Sequence, residues 1–257
     1  MPEALHNLPP ITLEEMDSIK LMNRVDTKYL TDEATLDKVL EDSAAAGYRA
    51  LVTGDSMISP YNSIYYDTPE LRMFLDHRNQ KLNRQKVRTR EYVNSSAAYL
   101  EIKRKKNNGR VKKKRISIPL EEMGDFSADQ DAVTYLAGHS DFTSSQLTPV
   151  LSTGFDRITL VNPAKTERVT IDKNLEFNNF RTGKKASLLD TVIIEIKQDG
   201  RAASQMKGIL LKHRVKPVRV SKYCVAVTLT DESAKSGRFK EKVRAIEKTI
   251  NKKITVI

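Results

Sequence analysis

Between Asn83 and Pro119, three runs of alternating cations are separated by turn residues, and this pattern limits the available folds more than any other. The runs read N-R-Q-K-V-R-T-R-E-Y-V, A-Y-L-E-I-K-R-K-K and R-V-K-K-K-R-I-S-I-P, with breaks at Asn94-Ser95-Ser96 and Asn107-Asn108-Gly109. Each run has the length of a strand, and Asn-Gly supplies the positive φ of a tight hairpin. Side chains alternate across a strand, so Arg88 and Arg90 share a face, as do Glu101 with Lys103 and Lys113 with Arg115. Antiparallel pairing then predicts one surface dense in cations and interrupted by a carboxylate. Guanidinium and ammonium groups held together in a concave wall repel one another until a counter-ion arrives, so the pattern points to a polyanion. Arg offers planar bidentate binding of phosphate oxygens and Lys a mobile point charge. The competing reading is the solvated face of a sheet, since edge strands carry Lys against aggregation.

The rest of the composition points the same way. A chain of 257 residues, 39% apolar and 30% charged, has enough material for a globular core of one large or two small domains. Its formal net charge of +11 favours an acidic partner. Cys224 is the single cysteine, so no intramolecular disulfide forms and a reducing interior is expected. No signal peptide opens at Met1-Pro2-Glu3, and no apolar run approaches the roughly 18 residues that span a bilayer. A cytoplasmic location is therefore expected.

In chain order, Thr12 and Glu15 form a capping box for a short helix, and N-R-V-D-T-K-Y-L (23–30) is a strand with Arg24, Asp26 and Lys28 on one face. Thr31-Asp32 opens a helix to about Ala46 that buries Leu36, Val39 and Leu40 and stops at Gly47. Ser63 to Tyr66 is a strand, Glu70 to His77 a helix, and Glu121 to Ser145 helical or irregular. Strands follow at Val150–Val161, Glu167–Lys173 and Asp190–Lys197, then an amphipathic helix over Arg201–His213. A last strand over Val215–Leu229 would place Arg219, Ser221 and Tyr223 on one face and Lys222 on the other. A basic helix from Ser233 carries Phe239, Val243, Ile246 and Ile250 at helical spacing, to cover the barrel or a partner rather than a membrane surface. With hairpins predominating, the fold class is α+β: an antiparallel sheet closed or nearly closed into a barrel, charged residues pointing inward.

These motifs together resemble the VTC domain, the polyphosphate polymerase branch of the CYTH-like triphosphate tunnel superfamily. They are R-V-D-T-K-Y (24–29), Y-Y-D-T (65–68), V-R-T-R-E-Y (87–92), L-E-I-K (100–103) and K-K-R-I-S (113–117). F-D-R (155–157), R-V-T-I-D (168–172), I-E-I-K (194–197) and R-V-S-K-Y (219–223) complete the series. No one of them is specific, but their shared order over residues 20 to 230 is. The resemblance implies a single domain over residues 1–257: a tunnel core of about eight antiparallel strands at 20–230 with flanking helices, then a basic helix at 231–257. It implies that the γ-phosphate of ATP, or of another nucleoside triphosphate, is transferred to inorganic polyphosphate threading the channel. Carried over position by position, the catalytic cations would be Lys28, Arg88, Arg90, Arg157 and Arg168. Lys103, Lys113, Ser221 and Lys222 would hold phosphate, with Arg115 and Lys197 as further contributors and Arg219 standing where the family has Lys. Glu195 would bind Mn²⁺ or Mg²⁺, which needs only one or two carboxylates beside phosphate oxygens and water. Any coupling to export would require a separate membrane-protein partner, and no specific nucleic acid is expected.

Phosphoryl transfer asks a protein mainly for positioning and charge neutralisation, which rows of cations supply. His6, His77, His139 and His213 are scattered, and neither a nucleophile elbow at Gly138-His139-Ser140-Asp141 nor a Walker loop at Gly183-Lys184-Lys185 has its full frame. Two alternatives stay open. Tunnel triphosphatases usually carry E-x-E-x-K on the first strand, where this chain has Arg24-x-Asp26-x-Lys28. A cation in place of the first acid favours holding a long polyanion over attack by water, although Asp26 keeps hydrolysis open. A non-catalytic polyphosphate- or RNA-binding protein is the other, but the chain lacks Trp and any obvious stacking ladder among Tyr92, Tyr99 and Tyr223.

Overall fold

The computed structural model describes residues 3–17, 19, 24–200 and 202–257. The expected element starts at Asn23 and Arg201 lie outside the described residues. The first half of the chain holds strands β1 (Pro10–Ile11), β2 (Arg24–Asp32), β3 (Arg49–Leu51), β4 (Ser59–Asp67), β5 (Arg84–Tyr92) and β6 (Ala97–Lys105). The second half adds β7 (Val111–Ile118), β8 (Thr148–Val161), β9 (Glu167–Asn179), β10 (Lys185–Leu188) and β11 (Thr191–Asp199). The helices are α1 (Leu13–Asp17), α2 (Glu33–Ala45), α3 (Arg72–Arg78), α4 (Gln130–His139), α5 (Gln205–Lys212), α6 (Lys222–Thr230) and α7 (Lys240–Ile250).

Eight strands run antiparallel in the order β2-β11-β9-β8-β4-β5-β6-β7, with β3 and β10 attached at β8 and β9 and β1 parallel to β3. The three basic runs are β5, β6 and β7, paired in sequence; Gly109 takes φ +78° in the second hairpin and Ser96 a left-handed φ of 47° in the first. The sheet is curled, and among the described residues no ladder joins β7 to β2; the outer edge of β2 is instead met by the segment before α6, through a bridge from Tyr29 to Pro217 and a bond from Val218 N–H to the Lys28 carbonyl. Side chains on both faces of β7 explain an open edge: Lys112, Lys113, Lys114 and Arg115 run consecutively and remain exposed, which disfavours docking beside Arg24 and Lys28.

The convex face is apolar. Leu36, Val39 and Leu40 of α2, with Met206 and Leu210 of α5, pack on Val169, Ile171, Ile194 and Ile196 of the sheet. Each such fully buried side chain contributes about 1.5–3 kcal/mol. Ala132 and Leu136 of α4 cover Leu100 and Ile102 in the same manner. The expected caps form: Thr12 N–H donates to Glu15 at 3.0 Å and Glu15 N–H to Thr12 Oγ1 at 3.2 Å, while Asp32 accepts from Thr35 N–H at 2.7 Å.

The expected strand over Val215–Leu229 is overturned. Ser221 caps a helix, accepting from Cys224 N–H, and Tyr223, Cys224, Val225, Ala226 and Val227 are all buried in it. A helix buried on every side shows no 3.6-residue period, and its β-branched residues imitate a strand. Ser221 and Tyr223 therefore do not share a strand face, and Arg219 is exposed on the segment leading into the helix. The apolar stripe of α7 is covered, Ile246 being buried and Phe239 and Ile254 packing on the cluster around α6. The chain then ends beside β10, where Ile257 and Lys185 exchange backbone hydrogen bonds.

Candidate functional site

Strand register sets the side chains of the concave face in rows. Lys86, Lys103 and Lys113 are direct neighbours across β5, β6 and β7, and Arg88, Glu101 and Arg115 form the next row. On the opposite flank Asp26, Lys197 and Arg168 form one row, and Lys28, Glu195 and Thr170 the next. Arg157 stands opposite Asp172. The deeper part of the concave face is apolar, where Leu30, Tyr65, Phe177 and Ile193 pack with α6. Charge thus occupies a recess whose floor is the start of α6.

That floor touches both flanks. Lys86 Nζ donates to Ser221 Oγ at 2.6 Å, Lys28 Nζ donates to the Val220 carbonyl at 3.3 Å, and Lys222 Nζ pairs with Asp172 while lying 3.2 Å from the Phe155 ring centre. The α-helical turn resolves the expected opposition between Ser221 and Lys222: consecutive residues at a helix start both reach the recess. Lys28, Arg88, Arg90, Arg157, Lys197, Ser221 and Lys222, with Glu195 among them, are gathered in the recess, while Lys103 and Lys113 lie on the same inward rows but remain exposed. Arg168 is half-buried on the inward row of β9. Arg115 lies at the exposed rim with its guanidinium 4.5 Å from the Tyr99 ring centre. Arg219 stays outside, on the exposed approach to α6.

Three carboxylates interrupt the cations. Glu101 accepts from Arg88 Nε and Nη2 at 2.8 and 2.6 Å and contacts Lys113. Asp172 accepts from Arg157 Nε and Nη2 at 2.6 and 2.8 Å and contacts Lys222. Glu195 lies between Lys28, at 3.8 Å, and Lys197. Burial alone would raise all three carboxyls, but the adjoining cations outweigh it and hold each well below the usual carboxylate range. Arg90 is different. It is 5% exposed, donates to Ser63 Oγ at 3.0 Å, lies over Tyr61 and Phe155, and among the described residues has no carboxylate in ion-pair reach. Burial, then the charges of Arg88 and Arg157, push it down to about 10.

Lys86 and Asp172 escaped the sequence reading. Lys86 stands two residues before Arg88 in the same alternation, so its signal was present. Asp172 ends the R-V-T-I-D motif, but its partners come from β8 and α6 and left no local trace. His77 at the end of α3 faces the charges of Lys86, Arg84, Lys28 and Lys103; burial first, then these cations, drive it down to about 2, so it is neutral.

Lys103 and Lys113 are held below the usual lysine range although both keep solvent contact. Partial desolvation lowers each to about 8; Glu195 opposes for Lys103, and Glu101 for Lys113. Between pH 8 and the unfolded lysine value the folded state therefore holds fewer protons than the unfolded, so fold stability rises with pH in that window while the recess loses positive charge. Affinity for an inorganic polyphosphate probe, as a test polyanion, is expected to fall about tenfold between pH 7.5 and pH 9.5, measured by displacement of a labelled chain, as roughly one to two charges are lost. A Lys103→Arg, Lys113→Arg double variant should flatten the profile, because arginine keeps its charge throughout. An unchanged slope in that variant would assign the pH effect elsewhere.

Among the described residues no three His, Cys, Asp or Glu side chains group as a metal cage. A hard cation bound partly by phosphate does not need one. Glu195, opposite Lys28 on β2, fits that role, while Asp26, diagonal to it and opposite Lys197, is engaged by Arg24.

A curled antiparallel sheet with a cation-lined recess, flanked by helices, defines the class: a protein of the CYTH-like tunnel fold. Its fold is shared by a candidate adenylate cyclase of Bacillus halodurans, at 12% identity and TM-score 0.52 over 77% of this chain and 93% of that one. A candidate adenylyl cyclase of Hippeastrum with a dominant triphosphatase activity aligns at 12% identity and TM-score 0.49, over 80% of this chain and 95% of that one. No curated protein matches. The VTC domain model matches residues 23–230, and the chain belongs to the VTC domain family. Among the described residues no helix is long and apolar enough to cross a membrane.

Proposed function

We propose that the protein is a polyphosphate polymerase, moving the γ-phosphate of ATP or another nucleoside triphosphate onto the end of an inorganic polyphosphate chain. A terminal phosphate oxygen of the chain attacks the γ-phosphorus, the bond to the β,γ-bridging oxygen breaks, and the nucleoside diphosphate leaves with that electron pair. Arg88, Arg90, Arg157, Arg168 and Lys28 neutralise the charge spread over the transferring group, and Lys103, Lys113, Lys197, Ser221 and Lys222 hold the flanking phosphates. Arg115 and Arg219, both exposed, suit the approach of the chain rather than its reacting end.

The observation that carries this reading is on β2. Arg24 replaces the first acid of the hydrolase pattern and its Nε pairs with Asp26 at 3.0 Å, tying up the second. A recess poor in available carboxylate but rich in cations favours a phosphate nucleophile over an activated water. Mn²⁺ or Mg²⁺ at Glu195 would supply charge neutralisation on the β- and γ-phosphates. Because Glu195 faces the ammonium groups of Lys28 and Lys197, a cation fits best when phosphate oxygens take over those lysines.

Incubation with ATP and Mn²⁺, followed by electrophoresis stained for polyphosphate, tests the reading. A ladder of chains is expected from the wild type and none from Glu195→Gln or Lys28→Ala. Free phosphate without chains would make the protein a triphosphatase, and absence of any turnover would leave a binding protein.

A further inference from the structure

The buried carboxylates of the recess pose a problem that a simple polyanion trap does not have. Glu101 is 2% exposed and Asp172 5% exposed, yet both project into a surface proposed to hold phosphate. Each bridges two cations from different elements: Glu101 joins Arg88 of β5 to Lys113 of β7, and Asp172 joins Arg157 of β8 to Lys222 of α6. The four cations so engaged are the ones expected to grip phosphate.

We infer that Glu101 and Asp172 are built-in counter-ions that loosen the recess's grip on a polyanion, so that the chain can shift along it. The inference rests on the polyphosphate reading of the recess, but not on catalysis. A phosphate arriving at Arg88 or Arg157 must share that guanidinium with a carboxylate that packing prevents from leaving. Binding is weakened at each such position by a repulsion that persists in the complex. Movement is eased for the same reason. As a chain shifts by one unit, a cation released by one phosphate returns to its carboxylate instead of standing bare in a wall of like charge. A path that conducts ions needs sites strong enough to fill and weak enough to empty, and fixed counter-ions meet both demands. Arg90, with no carboxylate in ion-pair reach among the described residues, then marks where the grip is tightest.

If the carboxylates served only to hold the fold together, their removal would weaken binding by loosening the wall. The two roles therefore predict opposite signs. Glu101→Gln and Asp172→Asn keep shape and one acceptor while removing charge. With each variant shown folded by thermal melting, long-chain inorganic polyphosphate is titrated over a range of salt, and its dissociation is followed by dilution into unlabelled chain. Each amide variant is expected to bind roughly tenfold more tightly and release the chain correspondingly more slowly. The slope of log affinity against log salt should steepen by about one. Should an amide variant not fold, Glu101→Asp reads the same property: the shortened carboxylate withdraws from Lys113, and affinity should rise by a smaller factor. Equal or weaker binding with an unchanged salt slope overturns the inference. Tighter binding in a protein that makes no polyphosphate would retain it and reject the polymerase reading instead.

Discussion

On the polymerase reading proposed above, replacing Arg90 by Met is expected to cut conversion of nucleoside triphosphate into polyphosphate by roughly a thousandfold, while leaving the fold as stable as before or more so. Arg88 and Arg157 each have a carboxylate against the guanidinium, so their charge is balanced before any ligand arrives. Arg90 has Ser63 Oγ and the faces of Tyr61 and Phe155, with ring centres at 5.2 and 5.5 Å. Burial and two positive neighbours depress it to about 10, so keeping it charged opposes folding. The sign is that of a base with a lowered folded value: the unfolded state holds the proton more firmly, and removing the group removes the cost. Met has a similar length and packs well against aromatic rings. An anionic transition state would be the missing partner, which is why loss of activity and gain of stability should appear in the same variant. Melting temperature and turnover measured together decide the matter. Full turnover in Arg90→Met would remove this residue from the chemistry.

What the sequence made legible was whatever depends on a short period. Alternation exposed β5, β6 and β7, the turns at Ser96 and Gly109 joined them, and Thr12 and Asp32 marked helix starts. The inward rows could be read because each cation shares parity with its neighbours on one strand. The floor of the recess could not. Lys28, Lys86 and Asp172 meet residues 220–222 across separations of 192, 135 and 50 positions, and no local pattern encodes such meetings. The segment that makes them was mistaken for a strand because Val225, Val227 and Thr228 favour extended backbone in isolation, and burial on every side erased the helical stripe. Ser221 followed by an apolar run was the available signal, a helix cap outweighed by β-propensity. The two-residue and three-residue strands β1 and β3, and the four-residue β10, are too short to carry a period.

Asp67 is the residue on which that floor depends, and Asp67→Ala is expected to lower stability by about 3–5 kcal/mol. In the sequence it reads as part of the turn before Pro69, and it does shape that turn. It is fully buried, and it accepts from Thr68, Met73 and Phe74 N–H at 2.8, 2.8 and 2.9 Å and from Tyr223 O–H at 2.6 Å. Residue Leu71, at the N-cap of α3, has φ 58° and offers no capping side chain, so Asp67 supplies the acceptors that the first turn lacks. Tyr223, held by the same carboxylate, stacks on Tyr65 with ring centres 5.1 Å apart and fixes the start of α6. Lys222 and Ser221 precede it directly, so loss of Asp67 should also weaken polyphosphate binding, although Asp67 itself lies outside the charged recess. Tyr223→Phe separates the two consequences: it keeps the ring and removes one donor, at about 1–2 kcal/mol, with binding largely retained. Burial raises the Asp67 carboxyl against the opposing hydrogen bonds of Tyr223, Met73 and Phe74. A raised folded value means the native state holds its proton longer, so the residue's contribution is fullest in acid and declines as pH rises through that value. The stability gap between wild type and Asp67→Ala, read from denaturant midpoints, should therefore be wider at pH 4 than at pH 7. A gap that instead grew with pH would mean the carboxylate is held as an anion, and the link from α3 through Asp67 to the floor of the recess would have to be redrawn as an ion–dipole contact.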